Sequence, residues 1–121
     1  MTSNSLSWPS RIHVADQGRL LEITFDSGKQ YSLPAELLRV ESPSAEVKGH
    51  GPGQEQLVWG KRHVSITDAE PIGNYAIRLK FSDGHSTGIY TWAYLEKLGF
   101  EQPELWAAYE EKLRRAGLGR S

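Results

Sequence analysis

The sequence predicts an α+β fold, a single compact domain of two pseudo-repeated antiparallel β units with short helices and a C-terminal helix. Three observations predict it. The first is an imperfect internal repeat, which constrains architecture more strongly than any local motif. One copy runs Ile12-His13-Val14-Ala15-Asp16, then Leu21 to Gly28, then Gln30 to Pro34. The other runs Val64-Ser65-Ile66-Thr67-Asp68, then Ile77 to Gly84, then Ser86 to Tyr90. The second is the alternation of Leu21, Ile23 and Phe25, and of Ile77, Leu79 and Phe81, with polar residues, the period of a half-buried strand. The third is the helical spacing of Trp106, Tyr109 and Leu113 between Pro103 and Gly117. Two copies are too few for a solenoid, so the halves must share one core.

In chain order, residues 1–10 are polar and expected to fray, with Trp8 before Pro9 as an anchor; residues 11–100 form the domain, and 101–121 its C-terminal helix and tail. Each copy reads as strand, Asp-bearing turn, alternating strand, Ser/Asp-Gly turn, short return strand and helical segment. Gly28 and Gly84 supply the left-handed backbone that a tight turn needs. Pro34 suits a first helical turn, Glu36 the positive end of the helix dipole, and Leu37 and Leu38 an apolar face. Thr91 is the predicted N-cap of the next helix, Trp92, Leu95 and Leu98 its apolar side, and Gly99 its C′ residue. Gly73-Asn74-Tyr75 reads as the turn before the second alternating strand. The last helix is predicted over 103–116, with Glu110 and Glu111 ahead of Arg114 and Arg115 in the order the dipole favours. Residues 41–56 carry Pro43, Gly49, Gly51, Pro52 and Gly53 and read as a long loop between the halves, a length usually reserved for function or disorder. Phe25 and Phe81 occupy matching positions and are expected to face a shared core.

Composition narrows the function classes. With 14 Lys and Arg against 15 Asp and Glu, the formal charge of −1 recruits neither nucleic acid nor an anionic membrane surface. There is no cysteine, which excludes disulfides, thiolate nucleophiles and Cys-ligated zinc or iron–sulfur clusters. No run approaches a membrane span and residues 1–10 lack the pattern of a signal peptide, so the expected location is the cytoplasm.

No motif specifies a reaction. His13, His50, His63 and His85 form neither H-x-x-x-H nor H-E-x-x-H, although pairing of the strands at 12–16 and 63–67 would bring His13 near His63. Gly49-His50-Gly51-Pro52-Gly53 lacks the following Gly-Lys-Ser/Thr of a phosphate loop, and Gly60-Lys61 continues into a strand-like run. Gly-x-Ser-x-Gly is absent, and Asp83-Gly84-His85-Ser86 reads as a turn that happens to contain catalytic residue types. No catalytic residue, metal ligand set or cofactor is therefore expected. Lys61 and Arg62 beside Trp59 offer cations next to a stacking surface, set against the reading of a solvated strand start beside a core tryptophan.

Trp59-Gly60-Lys61-Arg62, Ile72-Gly73-Asn74-Tyr75-Ala76, Phe81 to Trp92, and Leu38 to Glu46 together resemble the γ-butyrobetaine hydroxylase-like N-terminal domain, DUF971, in its stand-alone bacterial form, over residues 10–100. In the dioxygenases of that family the domain precedes a separate iron and 2-oxoglutarate catalytic domain, and no H-x-D…H triad occurs in this sequence. The resemblance implies a structural zinc module in those dioxygenases, whose three cysteine positions fall on Ser42, Ser44 and Val47 and whose histidine falls on His85. Hydroxyls and an isopropyl group do not replace thiolates, so zinc binding is not expected to be inherited. The resemblance marks Trp59, Lys61, Arg62, Asn74, Tyr75, His85 and Trp92 together as a candidate binding surface. The expected function is that of a non-enzymatic accessory domain binding another protein. A helper or carrier in iron–sulfur or metal metabolism, implied by a plastid fusion in the family, is the alternative, and a stand-alone enzyme a third.

Overall fold

The structure, a computed structural model, describes residues 8–44, 47 and 57–121. Among the described residues two three-stranded antiparallel sheets, ordered β1-β2-β3 and β4-β5-β6, carry the α-helices α1, α2 and α3 on an α+β framework. The first sheet comprises β1 (Pro9–Ala15), β2 (Leu20–Phe25) and β3 (Gln30–Pro34), and α1 (Ala35–Val40) follows it. The second comprises β4 (Ile66–Ile72), β5 (Ala76–Phe81) and β6 (Gly88–Thr91), followed by α2 (Trp92–Phe100) and α3 (Gln102–Ala116). His50, and most of the segment read as a long inter-repeat loop, lie outside the described residues.

The repeat holds at atomic detail. After β2, the Gly28 N–H donates to the Phe25 carbonyl and the Phe25 N–H to Lys29; after β5, Gly84 donates to Phe81 and Phe81 to His85. Both turn glycines have φ of 93°, which costs a Cβ-free residue nothing. The entry to each helix is tied to its own β1–β2 or β4–β5 turn: the Ala35 N–H donates to Arg19 at 2.8 Å and the Trp92 N–H to Tyr75 at 3.3 Å. Each first strand also carries an irregularity near its start, between Pro9 and Arg11 and between Ile66 and Asp68.

These pairings correct the repeat frame. Pro9 faces Phe25, and Ile66 faces Phe81. Asp16 is thus equivalent to Gly73, and the counterpart of the Asp16–Gly18 turn is Gly73-Asn74-Tyr75. Asp68 sits within β4 beside the bulge rather than in a turn. The irregularity lies at the same place in both first strands, so it breaks the alternation in each, leaving the frame to be set by pairing with the second strand. The strands bearing His13 and flanking His63 belong to different sheets and do not pair, and both histidines are exposed.

The apolar faces of both β units meet in one core with Leu37, Leu38, Leu95 and Leu98; Phe25 and Phe81 are 1% and 3% exposed within it. Gly18 lies where the halves touch: a Cβ there would stand 2.4 Å from the Ile66 carbonyl oxygen. Thr91 caps α2 as predicted, its hydroxyl accepting the Tyr94 N–H at 3.1 Å. Gly99, however, lies inside α2, and its missing Cβ makes room for the Tyr31 ring, 2.4 Å from where that atom would be. Pro34 closes β3 in extended conformation, and α1 begins one residue later. Gly117 closes α3 in the left-handed conformation at φ 69°. A smaller cluster of Val40, Tyr109 and Leu113 fastens α3 to the exit of α1. Among the described residues no helix is long and apolar enough to cross a membrane.

Candidate functional site

Asp83, in the tight turn after β5, organises a network between the two halves. Its Oδ2 pairs with Arg39 Nε of α1 at 2.8 Å and with Lys61 Nζ at 2.6 Å, while Oδ1 accepts the His85 backbone N–H at 3.1 Å. Burial raises the Asp83 pKa, but Lys61, the His85 N–H and Arg39 outweigh it and bring the carboxyl to about 2. Asp83 thus engages His85 through the main chain, while the imidazole turns inward. Its Nε2 lies 2.9 Å from Ser42 Oγ and 3.4 Å from Ser44 Oγ, and the two hydroxyls are 3.4 Å apart. Val47, 3% exposed, lines the same cavity of about 330 Å³ as His85.

The four positions that the family resemblance sets at a zinc tetrad therefore converge in space. In this chain Ser42, Ser44 and His85 form a polar knot in which buried hydroxyls meet a buried imidazole, as buried polar groups require, and Val47 lies beside it. Among the described residues no group of three His, Cys, Asp or Glu side chains is placed to hold a metal ion. Three tyrosines brace the surrounding segment: Tyr90 donates to the Leu38 carbonyl, Tyr94 to Glu41 at 2.5 Å and Tyr109 to Val58 at 2.7 Å. Burial raises all three phenol pKa values, that of Tyr109 to about 12, so each remains a hydrogen-bond donor at neutral pH.

Five of the seven candidate surface residues separate into two groups. Lys61 and His85 meet around Asp83 at the exit of β5. Asn74, Tyr75 and Trp92 gather at its entrance, where Trp92 Nε1 donates to the Asn74 carbonyl at 2.9 Å and Tyr75 is half-exposed. The six residues of β5 between them span roughly 20 Å. Trp59 is 52% exposed rather than part of the core. The segment it begins is bound by the C-terminal tail, since the Gly60 N–H donates to Gly119 at 3.0 Å and the Arg62 N–H to Arg120 at 2.8 Å. Arg62 itself is exposed. The separation follows from hairpin geometry, because residues on either side of a strand leave it at opposite ends.

Another surface was not anticipated. Tyr31, Pro34, Phe100, Pro103 and Trp106 line a largely apolar groove of about 660 Å³ between β3 and the α2–α3 junction. Phe100 is 72% exposed on its rim. At one edge Glu36, 6% exposed, is held by Arg120 through both carboxylate oxygens, at 3.0 and 2.8 Å, and the guanidinium lies 5.0 Å from the Trp106 ring centre. One signal was present in the sequence: Phe100 follows Leu98 by two residues, about 200° around the helix and off the buried stripe.

Comparison with known proteins places the chain. The family model described as "Gamma-butyrobetaine hydroxylase-like, N-terminal" matches residues 12–96. Two proteins with NMR solution structures are similar throughout. One is 42% identical with a TM-score of 0.83, over 97% of this chain and 92% of that one; the other is 45% identical with a TM-score of 0.82, over 99% and 90%. A crystal structure of a DUF971-family protein with unknown function from Acidithiobacillus ferrooxidans ATCC 23270 is 42% identical with a TM-score of 0.63, over 75% of this chain and 91% of that one. No curated protein matches. The chain belongs to the γ-butyrobetaine hydroxylase-like N-terminal (DUF971) family.

Proposed function

We propose that this member of the DUF971 family is a non-enzymatic accessory domain that binds another protein in the bacterial cytoplasm. The observation that carries the reading is the apolar groove with Phe100 on its rim, 72% exposed. Exposed aromatics around a concave apolar surface are the composition of protein interfaces, where a few such anchors supply most of the affinity. The polar clusters speak for the same reading from the other side: Ser42 and Ser44 are held against His85 within the fold, and Asp83 is consumed by Arg39 and Lys61. No observation on the described residues favours a role in iron–sulfur or metal metabolism over this one.

The test is capture by a photo-cross-linking side chain at position 100, with Phe100→Asp as the disrupting variant and Trp59→Ala/Arg62→Ala as the comparison. A cross-linked protein that Phe100→Asp loses and the double variant retains supports the groove. Capture lost only in the double variant moves the surface to residues 59–62, and no specific capture in any form sinks the accessory reading.

A further inference from the structure

Strands β1 and β4 form equivalent outer edges of the two sheets, yet only β4 is closed to a further strand. The Phe25 N–H donates to Lys29, so Phe25 turns its main chain toward β3. Alternation along β2 then turns Leu20, Glu22 and Thr24 toward β1, where they pair with Ala15, His13 and Arg11. Ile12 and Val14, which lie between those residues, direct their N–H and C=O groups away from the sheet. The Phe81 N–H, which donates to His85, likewise turns Ala69 and Pro71 of β4 outward. There the edge is blunted. The Asp68 carboxylate accepts the Ala69 N–H at 3.0 Å, and Pro71 has no N–H to offer. At the equivalent positions of β1, Arg11 stands in place of Asp68 and Val14 in place of Pro71. Among the described residues nothing bonds to the outward groups of Ile12 and Val14. The other two edges, β3 and β6, pack against α2.

We propose that β1 is a docking edge for an extended segment of another protein, which joins the first sheet as an added strand. Main-chain bonds to Ile12 and Val14 supply the pairing, and side chains set the choice of segment. Ile12 and Val14 are half-buried against the core, so apolar residues on that side of the added strand extend the core. On the opposite side Arg11 and His13 are exposed. His13 already faces Glu22, whereas Arg11 faces Thr24 and has no ion pair among the described residues. The segment that fits therefore alternates apolar with polar residues and sets an acidic one beside Arg11. A second copy of this chain fits less well, because its β1 would bring another Arg11 and His13 to the same side and its β4 is blunted. The edge and the groove at Phe100 lie on different elements, and loss of one leaves the other intact.

The experiment follows 1H–15N spectra and amide hydrogen exchange of the full chain during titration with a capped synthetic peptide of roughly eight residues that alternates valine and glutamate. A peptide alternating valine and lysine, and one with the valines and glutamates in two blocks, are the comparisons. Saturable shifts along β1 and slowed exchange at the Ile12 and Val14 amides are expected with the alternating acidic peptide, with the Ala69 amide unaffected. Val14→Pro copies Pro71, removing an outward N–H while leaving the bonds to β2, and is expected to weaken binding about tenfold or more. Arg11→Glu leaves the main chain untouched and is expected to move the preference to the lysine peptide; it decides the matter if Val14→Pro fails to fold. No protection of Ile12 and Val14 by the acidic peptide, equal binding of the block peptide, or a preference that Arg11→Glu leaves unchanged would overturn the proposal. Concentration-dependent dimers that protect β1 without peptide would do so as well, since the edge would then belong to a second copy.

Discussion

Ser42 Oγ stands 2.9 Å from His85 Nε2, and Gly88 is what leaves it room: a Cβ at position 88 would lie 2.6 Å from that oxygen. The contact joins residues 43 apart in sequence, linking the exit of α1 to the β5–β6 turn. Hydroxyls here stand where the family resemblance implies the thiolates of a zinc site in the dioxygenase domains.

That replacement is testable in both directions. The wild-type protein is expected to carry no stoichiometric zinc or iron and to unfold at the same temperature with and without a chelator. Ser42→Cys/Ser44→Cys/Val47→Cys, which with His85 restores a tetrahedral donor set, is expected to bind one zinc ion per chain, and adding His85→Ala to weaken it strongly. Metal analysis checks both; one tightly bound ion in the wild type, lost on His85→Ala, would refute the first expectation.

Phe25 and Phe81 terminate equivalent strands and enter the same core at 1% and 3% exposure. Truncating either to Ala removes a ring the core cannot refill, at about 3–5 kcal/mol. The two losses are expected to be similar. Denaturant unfolding measures them, and a silent substitution at either site would mean that its β unit is not packed into the common core.

Gly18 and Gly28 both have positive φ, 87° and 93°, but a Cβ meets the Ile66 carbonyl oxygen at the first and nothing within 4 Å at the second. Gly28→Ala is expected to cost about 1–2 kcal/mol from backbone strain alone. Gly18→Ala adds a clash with main chain at the joint between halves and is expected to be clearly worse. Equal unfolding midpoints for the two variants would show that the joint yields freely.

Asp83 links stability to acid. Its folded pKa is depressed to about 2, so its contribution is present above the unfolded carboxylate range and is lost as pH falls from about 4 toward 2. The side chain keeps some solvent contact, which reduces the effect to on the order of 1 kcal/mol. Asp83→Asn is expected to remove this component of the pH dependence and to lower stability at pH 7, where Arg39 and Lys61 lose their shared partner. Unfolding curves between pH 2 and 7 for both proteins provide the comparison.

The sequence by itself determined the elements whose signals are local. Alternation placed Leu21–Phe25 and Ile77–Phe81 in strands, Gly28 and Gly84 set the turns after them, and Thr91 and Gly117 marked helix ends through their own hydroxyl and backbone freedom. It also marked Ser42, Ser44, Val47 and His85 as a set, through resemblance rather than chemistry. Gly99 was misread because an interior helical glycine that admits the Tyr31 ring has the same letter as a helix-ending one; its reason lies in another strand. Only the tertiary structure decided the first-strand frame of the repeat, the pairing of Arg39 with Asp83 across 44 positions, the division of the candidate surface between the two ends of β5, and the groove at Phe100. Those features depend on which faces meet after the core closes, and the burial that drives closure is non-directional: it rewards apolar area removed from water without specifying, in any short run of residues, which polar groups become neighbours.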